Sequence, residues 1–427
     1  MKIAFMLLLC AGHLHAAERF ESAAFVDSFD FAHVKKDGKL LFDIESEKGN
    51  TALLEHVLLA GANTILWRNC GGSTMRYRSE EERYPLVEAP LDKRRLPDNR
   101  SVHGWLRMYQ AKPDILHYVQ DICKERDVQY GVHWPFEDTH WSSWTFGAWN
   151  FEHPQFWCRR QDGRIWAGRC SFVYSDVVEH KMRLVDELVE RGIDHLFVDT
   201  WRAGAWDPKF EYVEPQIERW RKKYGEEPTA DSKDIRWCRL VSESNHNYFK
   251  TLRKRLDCSG REIRFMLGVS GLGVVSDEMD EPLRERGVDW KRLVDEGVID
   301  TLVVMSVQWD KKRPFESTRE IYRSILDFCN GRCQVLFPVQ AYNFSKRGIP
   351  GYQKASKLKA ADIAERLMRI TWEEGADGIC MECVDYNNYK LETRERMCKL
   401  LNGDCRLKKR KVKNENLWDN SIENSRE

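Results

Sequence analysis

The sequence predicts an α/β fold, a closed (β/α)8 TIM barrel with an enlarged Trp-rich loop after strand 3. Three observations lead there. Eight short β-rich runs alternate strictly with at least eight amphipathic helical stretches, and such alternation calls for a parallel sheet. The 427 residues hold eight units with room for insertions. No GxGxxG follows the first run, which disfavours the rival, an open doubly wound sheet. The nearest glycine-rich stretch, Gly268 to Gly273, ends the fifth run with the wrong spacing.

In chain order the strand runs are Phe25 to Asp30, Asn63 to Arg68, Val128 to Trp134, Ile193 to Asp199, Ile263 to Val269, Thr301 to Gln308, Gln334 to Gln340 and Gly378 to Val384. Helices are expected near Thr51 to Ala60, Pro113 to Arg126, Ser175 to Arg191, Glu211 to Lys223 and Glu243 to Leu256. Others follow at Leu283 to Glu296, Ser317 to Phe328, Ala355 to Trp372 and Leu391 to Leu401. Within Ser175 to Arg191, Val178, Met182, Val185, Leu188 and Val189 recur at three- and four-residue steps. That spacing makes one apolar stripe.

The ends differ in character. Residues 1–17 read as an export signal: Lys2, an apolar stretch from Ile3 to Gly12, then small Ala16 and Ala17. About ten apolar residues are too few to span a bilayer, and no later run is long enough. A secreted or periplasmic chain without a membrane anchor is therefore expected. Residues 18–404 form the barrel domain. The tail, 405–427, carries Arg406, Lys408, Lys409, Arg410, Lys411 and Lys413 without a periodic apolar face, so it is expected to be disordered.

Composition narrows the partners. The 68 basic residues balance 68 acidic ones, which removes the simplest case for nucleic acid. Of 13 cysteines, Cys10 leaves with the signal; buried thiols are expected for most, with Cys158 and Cys170, or Cys398 and Cys405, spaced for bridges. Cys380 and Cys383 lie three apart in a strand-like run, so their side chains point to opposite faces. No second cysteine pair completes a zinc set. His133, His140 and His153 are scattered in one loop, and the first strand has no close histidine pair. No metal or other cofactor is expected, and no GxSxG or P-loop appears.

In a barrel, the C-terminal strand ends and following loops build the site. Those positions hold Asp27 and Asp30, Arg68, His133 with Glu137 and Asp138, Asp199 with Arg202, Ser270, Gln308 with Asp310, Gln340 with Tyr342, and Glu382 with Asp385. Carboxyl groups crowded in a partly dry cleft push one another toward the protonated form. Glycosidic bond cleavage needs that situation, one protonated acid for the leaving oxygen and one carboxylate as nucleophile or base. Asp199 is the first candidate because it ends the apolar run Leu196-Phe197-Val198; the plainer account is a carboxylate holding Arg202. Asp310 is the provisional acid, with a helix-start role beside Lys311 and Lys312 as its alternative. Glu382 and Glu137 stand in reserve.

Aromatic residues supply the second signal. Trp134, Trp141, Trp144, Trp149, Trp157 and Trp166 fall in or beside the loop after strand 3. Indole faces stack on the C–H faces of sugar rings, although such a loop could equally fold into a small hydrophobic subdomain. Trp201 and Trp309 flank the candidate acids. With Arg68, His133, Trp134, Arg202, Gln308 and Tyr342 they form the expected substrate-binding set.

Several segments resemble a known family. Asn63 to Arg68, then Val132-His133-Trp134, look like the start of the family-10-like bacterial glycosyl hydrolases. His153-Pro154, Asp162-Gly163-Arg164 and Asp176-Val177-Val178 are similar to its run before strand 4, and Gly192 to Arg202 to its strand ending Asp-x-x-Arg. Ser306 to Trp309 resembles its Pro-Gln-x-Tyr motif with Pro and Tyr replaced. The resemblance spans about Phe25 to Leu401 through short, degenerate motifs. It implies a (β/α)8 barrel acting on polysaccharide or glycan, with Asp199 at the family's acidic strand-four position. Two rivals are a non-catalytic glycan-binding barrel, which needs no paired acids, and a metal-dependent hydrolase.

Overall fold

The computed structural model describes residues 20–27, 35–36, 39–40, 42, 46–71, 74–75, 77, 79–82, 115–135, 147–200, 207–273, 280–339, 358–382 and 391–403. The expected signal (1–17) and tail (405–427) lie outside the described residues.

Eight parallel strands close into a ring. They are β1 (Glu21–Val26), β2 (Thr64–Arg68), β3 (Gln129–Trp134), β4 (His195–Asp199), β5 (Arg264–Val269), β6 (Thr301–Val304), β7 (Gln334–Val339) and β8 (Gly378–Glu382). Each pairs with its neighbour in sequence, and β8 returns to β1 with Glu21 opposite Gly378 and Phe25 opposite Glu382. The predicted barrel is the observed one. Helices cover it: α1 (Glu47–Leu58), α2 (Ile115–Glu125), α3 (Ser175–Glu190), α4 (Glu214–Tyr224), α5 (Ile235–Asp257), α6 (Trp290–Asp295), α7 (Pro314–Cys329), α8 (Ala360–Glu373) and α9 (Leu391–Gly403).

Several boundaries differ from expectation, three of them for a local reason on view. Strand β1 begins at Glu21, four residues before the expected Phe25. Arg264 of β5 donates to Glu21 at 2.7 Å, so its charge is paired inside the ring and the strand can start on it. The helix expected over Leu283 to Glu296 is two pieces, because Gly287 adopts φ 62° and caps Glu281–Arg286. Helix α5 starts at Ile235, where the Asp234 carboxylate accepts from Arg236 N at 2.8 Å.

Strand alternation sorts side chains between the ring interior and the helix-facing wall. At the N-terminal end Arg264 also donates to Gln334 at 2.8 Å, and His195 lies 3.2 Å from Gln129. Above that polar plug sits an apolar layer of Ala23, Phe25, Leu66, Phe197, Met266, Val303, Leu336 and Cys380. The larger core, including Trp67, Val132, Trp134, Leu196 and Val198, lies in the other cluster. Gly268 permits this packing: a methyl group there would meet the Phe197 ring at 2.8 Å. Cys158 donates to Glu211 at 3.4 Å, and no disulfide joins it to Cys170. Cys405, the other expected bridging residue, lies outside the described residues.

Candidate active site

Four adjacent strands each deliver one buried polar side chain to the C-terminal end of the ring. Asp27 follows β1, Arg68 ends β2, His133 is the penultimate residue of β3, and Asp199 ends β4. All four are at most 4% exposed. Burial at that level demands partners, since an unpaired ion in an apolar setting costs several kcal/mol.

The partners come in two pairs. Arg68 forms an ion pair with Asp27, and its Nε donates to the Cys70 carbonyl at 2.8 Å. His133 Nε2 lies 3.0 Å from Asp199 Oδ2. A carboxylate can only accept, so Nε2 carries the hydrogen and donates. Register explains both meetings: Val26 is opposite Trp67, which sets Asp27 beside Arg68, and His133 is opposite Phe197, two residues before Asp199.

An aromatic floor supports the second pair. The Phe25 and Phe197 rings stack at 4.6 Å, 8° from parallel. His133 leans on both, at 5.6 Å and 5.1 Å. Such contacts add about 1 kcal/mol each beyond area burial and restrict the imidazole's orientation. Thr200, after Asp199, donates to the Gly268 carbonyl at 2.6 Å and ties the chain leaving β4 to β5.

Arrangement and chemistry agree in kind. The layer holds two carboxylates, one guanidinium and one imidazole, a charge set that can fix a polar ligand and hold an ionised acid beside it. Among the described residues, no group of three or more His, Cys, Asp or Glu side chains is placed to hold a metal ion. No described helix is long and apolar enough to cross a membrane.

Other expected site residues are placed as follows. Asp310 is exposed and accepts from Lys312 N at 2.8 Å, close to Arg313 before α7. Those are the contacts of a turn carboxylate at a helix start, the alternative role noted for it in the sequence. Trp134 is buried in the core between strands and helices, not open for stacking. Its neighbour His133 takes the interior because successive strand residues face opposite ways. Gln308 is exposed, and Trp309 is half-buried against the main core. Glu382 ends β8, opposite Phe25 in register. Glu137, Trp201, Arg202 and Tyr342 lie outside the described residues, as do Asp30, Trp141 and Trp144.

The described part of the Trp-rich segment packs on itself. Trp149 stacks between His153 at 4.2 Å and His180 at 4.1 Å. Trp157 donates to the Asn150 carbonyl at 2.6 Å, and Trp166 meets Phe210 edge-on at 3.9 Å. Sequence reading missed a buried cluster beside it, where Glu211 is held by Ser171 and Cys158 with Arg169 3.4 Å away. Burial pushes the Glu211 carboxyl up, against the opposing pull of Arg169. No local motif marks this cluster, because its members come from a hairpin and from the loop after β4.

No protein-family model and no curated protein sequence matches the chain. Solved structures do resemble it. The catalytic domain of beta-amylase from Paenibacillus polymyxa aligns with a TM-score of 0.55 and 10% identity, over 90% of this chain and 98% of that one. Beta-galactosidase from the psychrophilic Marinomonas ef1 aligns with a TM-score of 0.50 and 10% identity, over 90% of this chain and 59% of that one. Both neighbours are glycoside hydrolases on TIM barrels. At this identity the likeness establishes the barrel and nothing finer. Membership of the family-10-like group receives no support from these matches.

Proposed function

We propose that the chain is an exported glycoside hydrolase acting on a polysaccharide or glycan, with Asp199 at the centre of its site. The observation that carries this reading is the buried Asp199 and His133 pair beside Asp27 and Arg68, at the barrel end where such enzymes work. The glycosidase neighbours support the same class without deciding substrate or mechanism.

In this reading Asp199 is the nucleophile or base, and His133 donates to its Oδ2 and orients the carboxylate. A second carboxyl protonates the leaving oxygen. Glu382 ranks first for that role because it ends a ring strand, whereas the Asp310 carboxylate is engaged at the start of α7. Glu137 stays as the reserve acid. Carboxyls about 5 Å apart would retain the anomeric configuration, and a gap of roughly 6.5–9.5 Å would invert it.

The deciding experiment compares wild type with Asp199→Asn on a broad glycan panel, with circular dichroism to confirm folding. Turnover by wild type and its loss in the variant are expected. Binding without turnover in both proteins would favour the glycan-binding alternative, and near-normal turnover in the variant would remove Asp199 from the mechanism. Chelator-sensitive activity would point to a metal-dependent hydrolase.

A further inference from the structure

We propose that the surface around Phe210 is a subsite for a negatively charged group, a carboxylate or sulfate carried by the glycan. Three cations meet that ring. The Arg160 guanidinium and the Lys209 ammonium each lie 4.9 Å from its centre, and the Arg169 guanidinium lies 5.6 Å away. An aromatic face attracts cations, yet three like charges around one ring repel each other unless anions separate them.

The acids at hand do not balance them. Asp207 is paired with Lys209, and Glu211 meets Arg169 only at 3.4 Å. Asp162 is engaged by Arg164, which donates to it at 2.7 Å. The Arg160 side chain has no ion pair or hydrogen bond among the described residues. Arg169 supplies a second, independent observation. It is 1% exposed, and its Nε and Nη1 have no acceptor among the described residues. A buried guanidinium with donors unmade is costly, so the position calls for an acceptor from outside. Its planar fork matches the paired oxygens of an oxyanion.

Two segments build the place. Arg160 and Arg169 belong to the hairpin of Trp157–Arg159 and Ile165–Cys170, and Lys209 and Phe210 to the turn Pro208–Phe210. Tyr212 N–H donates to the Arg159 carbonyl at 3.0 Å and joins them. The hairpin follows β3 and the turn follows β4, the strands that carry His133 and Asp199, so the patch belongs to the same end of the ring. Lys209 is 47% exposed and Arg160 half-buried, so an anion reaches these two flexible chains first, with Arg169 and Phe210 behind them. The balance of 68 basic and 68 acidic residues disfavours nucleic acid as the anion. The glycan in this proposal rests on the hydrolase reading; the anion site does not.

Calorimetry on the full chain uses polygalacturonate for the carboxylate, dextran sulfate for the sulfate and neutral dextran as the uncharged control. Binding of one or both acidic polymers, and none of neutral dextran, is expected. Arg160→Gln with Lys209→Gln should weaken that binding about tenfold or more. Lys222→Gln with Lys254→Gln removes the same charge from exposed positions on α4 and α5 and should not. Equal loss in both double variants, or acidic polymers bound no better than neutral dextran, would overturn the proposal. So would a DNA duplex bound as tightly as the better polymer. Should the first double variant fail to fold, Arg160→Gln alone decides. Turnover is followed separately: acidic binding without cleavage sinks the hydrolase reading and leaves the subsite, and cleavage without acidic binding does the reverse.

Discussion

His133 on β3 and Asp199 on β4 meet at 3.0 Å, both buried, above the stacked rings of Phe25 and Phe197. The bond crosses between adjacent strands, so small shifts in the ring are felt directly in the carboxylate's position. Orientation of this kind is what a nucleophile or base requires, and it separates Asp199 from the many carboxylates on the surface.

Replacing Asp199 with Asn should lower kcat/KM on the preferred glycan by on the order of 10³-fold or more. His133→Ala should lower it less, because the carboxylate stays while its donor is lost. Steady-state kinetics on folded protein check both. Equal activity of His133→Ala and wild type would reject the orienting role.

Arg68 and Asp27 should behave as a buried pair. Arg68→Met strips Asp27 of its guanidinium and should cost about 3–5 kcal/mol. The double change Asp27→Asn with Arg68→Met should recover part of that loss. Urea unfolding of the three proteins tests the coupling, and additive effects would count against it.

Gly268→Ala adds a methyl where the Phe197 ring stands 2.8 Å away. The ring must move, and overpacking of this sort costs about 1–3 kcal/mol. Because His133 leans on Phe197, activity should fall along with stability. A lowered Tm with unchanged kcat would show that the floor does not position the imidazole.

Acid should destabilise the chain through buried histidines, His56 and His195 among them. Burial, with Arg394 nearby, lowers His56 to about 3, and burial, with Arg264 nearby, lowers His195 to about 3. Both stay neutral in the folded chain while the unfolded chain protonates them below its ordinary pKa of about 6.5. Their contribution is complete above that pH and is lost as pH falls toward about 3, at about 1.4 kcal/mol per pH unit for each. Urea unfolding between about pH 7 and pH 4 should show this decline, and His56→Gln should make it shallower. An unchanged slope in that variant would exclude His56 as a source.

Much of the architecture was legible before any coordinates. Eight alternating runs predicted the closed ring, and the end of an apolar run marked Asp199 as a rim residue. Asp27, Arg68 and His133 were also placed at strand ends. Their pairing was not visible, because Asp27 and Arg68 are 41 positions apart and His133 and Asp199 are 66 apart. Local patterns carry no information about contacts at that range.

Register between strands and choice of face belonged to the tertiary structure. A barrel strand is apolar on both sides, so alternation alone does not say which side faces the interior. Strand pairing turned His133 inward and Trp134 toward the helices. It also drew Glu21 into the ring beside Arg264, while Asp310 was left at an exposed helix start. Composition and periodicity thus determined which elements form and in what order. Only closure of the ring decided which side chains share one buried space, because that depends on distances between strands far apart in the chain.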